Sequence, residues 1–352
     1  MGRSGGRQVN GAMPAVIAVD GGNSKSDLAL VAGDGTLLAS ARGPGITKHD
    51  LTTILGLLGS LIDEAQRQTG RRGCPVARHL SACVANADLP EEEEALTAAL
   101  RAQGWSETTE VVNDTFAVLR AGLVTPDGAG RYPGGGPGER RWGVAVTCGA
   151  GINCVGVAPD GRKTGFLALG EITGDWGGGA GLGRAAQWCA IRAEDGRGPE
   201  TALRGAVAAH FGVASVREVA VRIHLGTIPE VRLRELAPVV LAVAGTGDDV
   251  AMGLVHRQAG EICSMALTVM RRLGLTGLAT PVVLGGRLLA ARDPLLTAGV
   301  IEGVKAAAPG ADVRITDVPP VAGAALLGLD HLRAGPEAER QLRARYAERT
   351  PS

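Results

Sequence analysis

One stretch constrains the fold of this chain more than any other. Ala18–Val31 reads AVDGGNSKSDLALV, a glycine-rich turn set between apolar runs that have the character of β-strands. The backbone N–H groups of such a turn can approach an anion closely, so the stretch suggests phosphate. Its spacing excludes two common phosphate loops. A Walker A loop needs G-x-x-x-x-G-K-[ST] and a dinucleotide turn needs G-x-G-x-x-G, each opening a helix. Here Lys25 is followed by SDLALVAGDGTLLASA, in which leucines alternate with small residues and GDG makes a tight turn. The order strand, glycine turn, strand, turn, strand puts the phosphate on a β-hairpin.

The device recurs at Val144–Val157, VAVTCGAGINCVGV, again a glycine turn between two apolar strands. Two such hairpins suggest two copies of one α/β unit, each presenting a turn to a shared cleft. A length of 352 residues accommodates two domains, and 45% apolar content is that of a globular protein. No stretch approaches the roughly 20 apolar residues of a membrane span. The 36 basic and 36 acidic residues balance without a basic block, which argues against a nucleic-acid surface and for a small-molecule partner. The opening MGRSGGRQVNGAMP lacks the apolar core of a secretory signal and reads as a disordered tail over 1–14, so a soluble, cytoplasmic chain is expected. Cys74, Cys83, Cys148, Cys154, Cys189 and Cys263 form no C-x-x-C pair and no His/Cys cluster, and read as small hydrophobes.

Further along, HDLTTILGLLGSLIDEAQRQ has helical spacing with Asp50 as its cap, HLSACVA is a short strand, and PEEEEALTAALRAQG is a helix with acids in its first turn. TEVVNDTFAVLRAG runs from strand into helix. TPDGAGRYPGGGPGERR is too rich in glycine and proline to pack and marks a domain boundary. Strands resume at Trp142, helices dominate from Arg184 to about Leu273, TPVVLGGRLL and ADVRITDV are strands, and PVAGAALLGLDHLRA is a closing helix. The expected domains are 15–125, joined by a returning helix over 320–346, and 140–319.

The series VDGGNSKSD, VVNDTFAVLRAG, TCGAGINCVGV, GDWGGGAGLG, VVLGGRLL and PVAGAALLG resembles, in order and over nearly the whole chain, the N-acetylglucosamine kinase and BadF/BadG-type ATPase family of the actin-like sugar-kinase superfamily. The resemblance implies an α/β protein of two ribonuclease-H-like domains closing over ATP and Mg²⁺, with the last helix returning to the first domain. It implies phosphoryl transfer from ATP to an amino sugar or related hexose at O6, in a homodimer.

The residues can be weighed one by one. Asp20 ends a strand just before Gly21 and Gly22; a carboxylate there can hold Mg²⁺ through water or cap the turn. Asn23, Ser24 and Lys25 would contact phosphate, and Lys25 is one of four lysines among the 36 basic residues, although a solvated surface lysine is the plainer reading. Asp114 follows Val111 and Val112 at a strand end, where α/β folds place ligands. It can cap the following helix, and by resemblance it is the base that takes the proton of the sugar hydroxyl. The resemblance puts Gly149, Ala150 and Gly151 beside the ATP phosphates and Asn153 against the sugar. Relatives often carry threonine where this chain has Ala150, so a hydroxyl contact is lost.

Gly174 and Asp175 precede a glycine run leading into a helix. Asp175 can accept hydrogen bonds from two adjacent hydroxyls, and by resemblance it is the second substrate carboxylate. Trp176 would stack on a sugar face or simply be buried, and Glu171 is a weaker acidic candidate. By resemblance Gly285 and Gly286 fall where the family's adenosine motif lies, and Gly245 with the RQAGE helix face would also border the nucleotide. Asn86 completes the substrate set with Thr47 and Lys48 of GPGITKHD, a loop in which relatives place an asparagine. Lys48, if it faces the pocket, would disfavour a protonated 2-amine on the sugar. Two other readings stay open: a sugar sensor of this fold without kinase activity, and an ATP-driven activator, whose cysteine motifs are not found here.

Overall fold

The computed structural model describes residues 13–46, 50–85, 87–123 and 141–348. In chain order the first elements are β1 (Val16–Gly21), β2 (Lys25–Val31), β3 (Leu37–Pro44), α1 (Leu51–Thr69), β4 (Ala77–Val84), α2 (Pro90–Ala102), β5 (Ser106–Asn113) and α3 (Asp114–Gly122). Beyond residue 140 come β6 (Gly143–Cys148), β7 (Ile152–Val157), β8 (Lys163–Gly165), α4 (Gly178–Glu194), α5 (Leu203–His210), α6 (Val216–His224), α7 (Ala237–Ala244) and α8 (Asp249–Leu273). The chain ends with β9 (Pro281–Gly285), α9 (Arg287–Ala290), α10 (Pro294–Ala307), β10 (Asp312–Ile315), α11 (Pro320–His331) and α12 (Pro336–Ala347).

Two five-stranded mixed sheets form, ordered β3-β2-β1-β4-β5 and β10-β9-β6-β7-β8. Read from opposite ends they are the same pattern: an antiparallel three-strand meander whose first strand pairs in parallel with the next strand of the unit, β1 with β4 and β6 with β9. By contacts the chain divides into 1–112 with 324–352, and 113–323. The helix after β5 therefore belongs with the second sheet. Val118, Leu119 and Leu123 pack on Ala145, Val155, Val157 and Val283, and Gly122 allows the approach, since a Cβ there would lie 2.2 Å from Val283 Cγ1.

In the first unit the alternation of β1 and β2 sends Ile17, Val19, Leu28 and Leu30 to one face, into a core with Leu58 and Ile62 of α1. Asp50 caps α1 as expected, accepting from the Thr52 and Thr53 amides. The other face takes α11. Gly328 makes room for Val16, whose Cγ1 would be 2.5 Å from an added Cβ. The expected single helix over 320–346 is broken instead into α11 and α12, because Arg333 turns to φ 56° and Pro336 opens a new helix after Gly335.

In the second unit β6, β7 and β9 are covered by α4, α7, α8 and α10 around Val146, Leu182, Ile262 and Val300. Cys148 and Cys154 are buried in this core, and burial pushes the Cys148 thiol up to about 12, in keeping with a packing role. Among the described residues, no single helix is long and apolar enough to cross a membrane.

Candidate functional site

In the first unit, register aligns Asp20 of β1, Asp27 of β2 and Arg42 of β3 in one row across the sheet. Asp20 and Asp27 are both buried. Two adjacent buried carboxylates would repel each other unless neutralised, and the sequence supplies the neutralisation locally. Lys25 Nζ donates to Asp27 Oδ2 at 2.5 Å, Arg42 Nε to Oδ1 at 2.6 Å, and Arg42 Nη2 to Oδ2 at 3.3 Å. Burial alone would raise the Asp27 carboxyl, but the Arg42 and Lys25 hydrogen bonds and charges outweigh it and hold the group below the ordinary carboxylate range. Arg42 is held charged mainly by Asp27, with a smaller contribution from Asp20.

The hairpin turn closes through the Gly22 amide to the Lys25 carbonyl at 3.0 Å, with Asn23 and Ser24 exposed at its tip. Gly21 is where Ile46 packs, and Gly45 seats the turn, since a Cβ there would be 2.4 Å from the Asn23 oxygen. Lys25 is thus half-exposed at the turn's edge but ion-paired to Asp27, a partner that sequence reading passed over. Thr47, Lys48 and Asn86 lie outside the described residues.

In the second unit Asp114 is the first residue of α3, and the cap is Asn113, whose side chain accepts from the Thr115 amide at 2.9 Å. The cap suggested for Asp114 thus belongs to its neighbour, and Asp114 is free of that duty. Its carboxyl is part-buried, and burial pushes it up to about 6, against the Thr115 hydroxyl and amide, which pull it down. Thr115 Oγ1 lies 3.4 Å from Asp114 Oδ1 and 3.0 Å from Thr147 Oγ1 of β6. Beside this hydroxyl chain, Asn153 Nδ2 donates to Asn113 Oδ1 at 3.2 Å and Asn153 Oδ1 accepts from the Cys154 amide at 2.7 Å. Asn153, expected against the sugar, is buried and braces the cap of α3. Thr115, Thr147 and Asn113 were missed by sequence reading; a Thr register partner of a site asparagine on the hairpin was the available signal.

The turn Gly149–Ala150–Gly151 is fastened to α4. The Gly149 and Ala150 carbonyls accept from the Gly179 and Ala180 amides at 2.8 and 2.9 Å, and the Gly178 amide donates to Gln258 Oε1 at 2.8 Å. Those first-turn donors of α4 are consumed inside the protein. A Cβ on Gly149 or Gly151 would meet nothing within 4 Å, and neither has positive φ. Packing therefore does not require glycine at either position. The later glycines differ. Gly178, at φ 62°, sits 2.4 Å from the Gly151 oxygen by the same measure, and Gly183 1.9 Å from the Leu233 oxygen. The GGGAGLG run is a close-packing device, with Gln258 of the RQAGE helix face seated against Gly177 and Gly178.

Asp175 follows Gly174, a left-handed residue ending a short 3-10 helix over Gly170–Thr173, and accepts from Thr173 Oγ1 at 2.5 Å. Glu171 is paired with Arg184 at 2.7 Å, and Trp176 carries the Arg257 guanidinium 3.9 Å from its ring centroid, so that face is occupied. Gly285 and Gly286 admit Val118 and the Cys148 backbone, each closer than a Cβ would tolerate. Gly245 ends α7 in an exposed position.

Comparison with solved structures places this architecture. A candidate N-acetylglucosamine kinase from Chromobacterium violaceum is 23% identical and matches 90% of this chain and 99% of its own at a TM-score of 0.67. The fold is that of the actin-like sugar kinases. A ROK-family glucokinase from Streptomyces griseus, in complex with glucose and AMPPNP, is 15% identical over 90% of this chain and 98% of its own, with a TM-score of 0.53. A ROK-family transcriptional regulator, described as a homologue of the E. coli MLC protein, reaches a TM-score of 0.55 at 12% identity, covering 97% of this chain and 82% of its own. No family profile matches the chain.

Proposed function

We propose that this chain is an ATP-dependent sugar kinase that phosphorylates an amino sugar or related hexose, at O6, with Asp114 as the general base. The observation that carries the reading is the Asp114 carboxyl, part-buried at a strand-to-helix junction, with its proton affinity raised to about 6 by burial. A base poised near neutrality takes a proton from a hydroxyl more effectively than an ordinary carboxylate. The Thr115 and Thr147 hydroxyls hold the adjoining backbone in place, and Asn113 carries the helix cap independently. The shared fold, which includes a glucokinase crystallised with glucose and AMPPNP, supports ATP and a sugar as the ligands.

In this reading the two glycine turns, Gly22–Lys25 and Gly149–Gly151, meet the phosphates, and Asp175 and Gly174 form part of the sugar site. Asp20 fits Mg²⁺ by its chemistry, a buried hard oxygen donor at a turn whose neighbour Asp27 is already neutralised by Lys25 and Arg42. When bound, the ion neutralises phosphate charge. The protein's share is positioning: orienting the hydroxyl, accepting its proton at Asp114, and excluding water. The expectation of a cytoplasmic homodimer belongs to the same reading.

The test is ADP release by purified protein across hexoses, amino sugars and N-acetylated amino sugars. Turnover stimulated by an amino sugar and lost in Asp114→Asn is expected. The regulator of the same fold favours a second reading, a sugar sensor. That reading predicts sugar-dependent thermal stabilisation with no stimulated ADP release.

A further inference from the structure

Away from the hairpins, the first unit brings His79 of β4, Glu110 of β5 and His331 of the last turn of α11 together. One donor atom from each lies within 4.8 Å of the others. The His331 and His79 rings stack with centroids 4.0 Å apart and planes 13° apart, and His331 Nδ1 lies 3.7 Å from Glu110 Oε2. Taken alone, His331 and Glu110 have plain explanations, a histidine at a helix C-terminus and an exposed acid on a strand. His79 does not. It is 1% exposed, and its Nε2 has no hydrogen-bond partner.

The state of that nitrogen follows from its neighbours. His79 Nδ1 is 2.9 Å from Thr108 Oγ1, and the Thr108 hydroxyl is also 3.2 Å from the Arg78 carbonyl, which can only accept. With the Thr108 proton given to Arg78, His79 Nδ1 is the donor to Thr108. The imidazole is then fixed as the tautomer with a free lone pair on Nε2. A ring hydrogen-bonded through one nitrogen and left bare at the other is how proteins prepare a histidine to bind a metal. A buried acceptor without a partner costs stability unless something fills the vacancy.

We propose that His79, Glu110 and His331 form a binding site for a divalent transition ion of the zinc class. Two imidazoles and one carboxylate suit zinc, which takes such three-residue sets and leaves a further position to water. Zinc–nitrogen bonds of about 2.0–2.1 Å imply donors about 3.3 Å apart around the ion, so the three groups close in by on the order of 1 Å. The closing movement falls to the half-exposed pair. His331 and Glu110 are 42% and 51% exposed at the side chain, and His331 leaves the stack to turn its lone pair toward the ion. The ion would fasten the end of α11 to β4 and β5.

The test uses the full chain, stripped with chelator, in a Cys74→Ser background, since Cys74 is an exposed thiol that could bind zinc on its own. Zn²⁺ titration by calorimetry is expected to show one equivalent bound with micromolar affinity or better, and a higher melting temperature in saturating Zn²⁺. Co²⁺ loading is expected to give a spectrum of nitrogen and oxygen ligation without thiolate charge transfer. His331→Ala and Glu110→Gln replace exposed groups, so both should fold with unchanged metal-free melting while binding Zn²⁺ at least tenfold more weakly. Absence of saturable Zn²⁺ binding at micromolar concentration, or binding of equal strength in both variants, overturns the proposal.

Discussion

Asp114→Asn separates a catalytic carboxylate from a structural one, because the two roles move stability in opposite directions. The folded carboxyl is raised from 3.8 to about 6. At about 1.36 kcal/mol per unit, this is a preference of about 3 kcal/mol for the protonated form. A folded-state value above the unfolded one means that the folded chain holds an extra proton between about pH 4 and pH 6. Stability therefore falls as pH rises through that window, and the loss is complete above it. Partial exposure and the favourable end of the α3 dipole, worth up to about 1 kcal/mol, reduce the net penalty to about 1–2 kcal/mol at pH 7.5. Asparagine keeps the shape and has no charge to desolvate, while the cap stays with Asn113. The variant should melt higher than the parent at pH 7.5, by about 2–8 °C for a unit of this size, and equally at pH 4. Its kcat should fall by about 10²- to 10⁴-fold, and the acidic limb of the parent's kcat/KM profile, near pH 6, should disappear. Calorimetric melting at the two pH values and coupled ADP release supply the readouts. A variant that melts lower at pH 7.5, or that turns over at near-normal rate, refutes the reasoning.

Four further outcomes follow from the close contacts, the ion pairs and the Gln258 hydrogen bond. Gly183→Ala places a Cβ 1.9 Å from the Leu233 oxygen and should cost more than about 3 kcal/mol in denaturant unfolding. Gly149→Ala meets open space and should change stability by no more than about 0.5 kcal/mol, while weakening ATP binding in a nucleotide titration; unchanged ATP affinity would remove that turn from the phosphate site. Asp27→Asn leaves Lys25 and Arg42 without their buried partner. Because both cations are substantially exposed, the loss should be about 1–2 kcal/mol, present at pH 7 and vanishing as the parent is acidified below the ordinary carboxylate range. Gln258→Ala strips the acceptor from the Gly178 amide and should cost about 1–3 kcal/mol by the same assay.

The chain's local chemistry made much of this legible in advance. Alternating apolar residues around a glycine turn specify a hairpin wherever they occur, and two such hairpins in one chain specified two sheets with the same strand pattern. Asp50 before a helical run and the acids in the first turn of PEEEEALTAAL act within a single turn, so the sequence determined those helix starts. What lay beyond reach were relations that depend on distant segments sharing a face. Asp114 looked like its own helix cap until the backbone gave that duty to Asn113, one residue earlier. The glycine run after Trp176 read only as the lead into a helix, and Gln258 and Leu233, far along the chain, are what it accommodates. Asp27 was one polar residue in a strand, and only register on β1 and β3 set it against Asp20 and Arg42. His79, Glu110 and His331 are separated by much of the chain, and nothing in their spacing joins them. Period and turn chemistry are local forces and write themselves into a sequence. Burial, which raises Asp114 and strands the His79 nitrogen, is a property of neighbours that only the tertiary fold assembles.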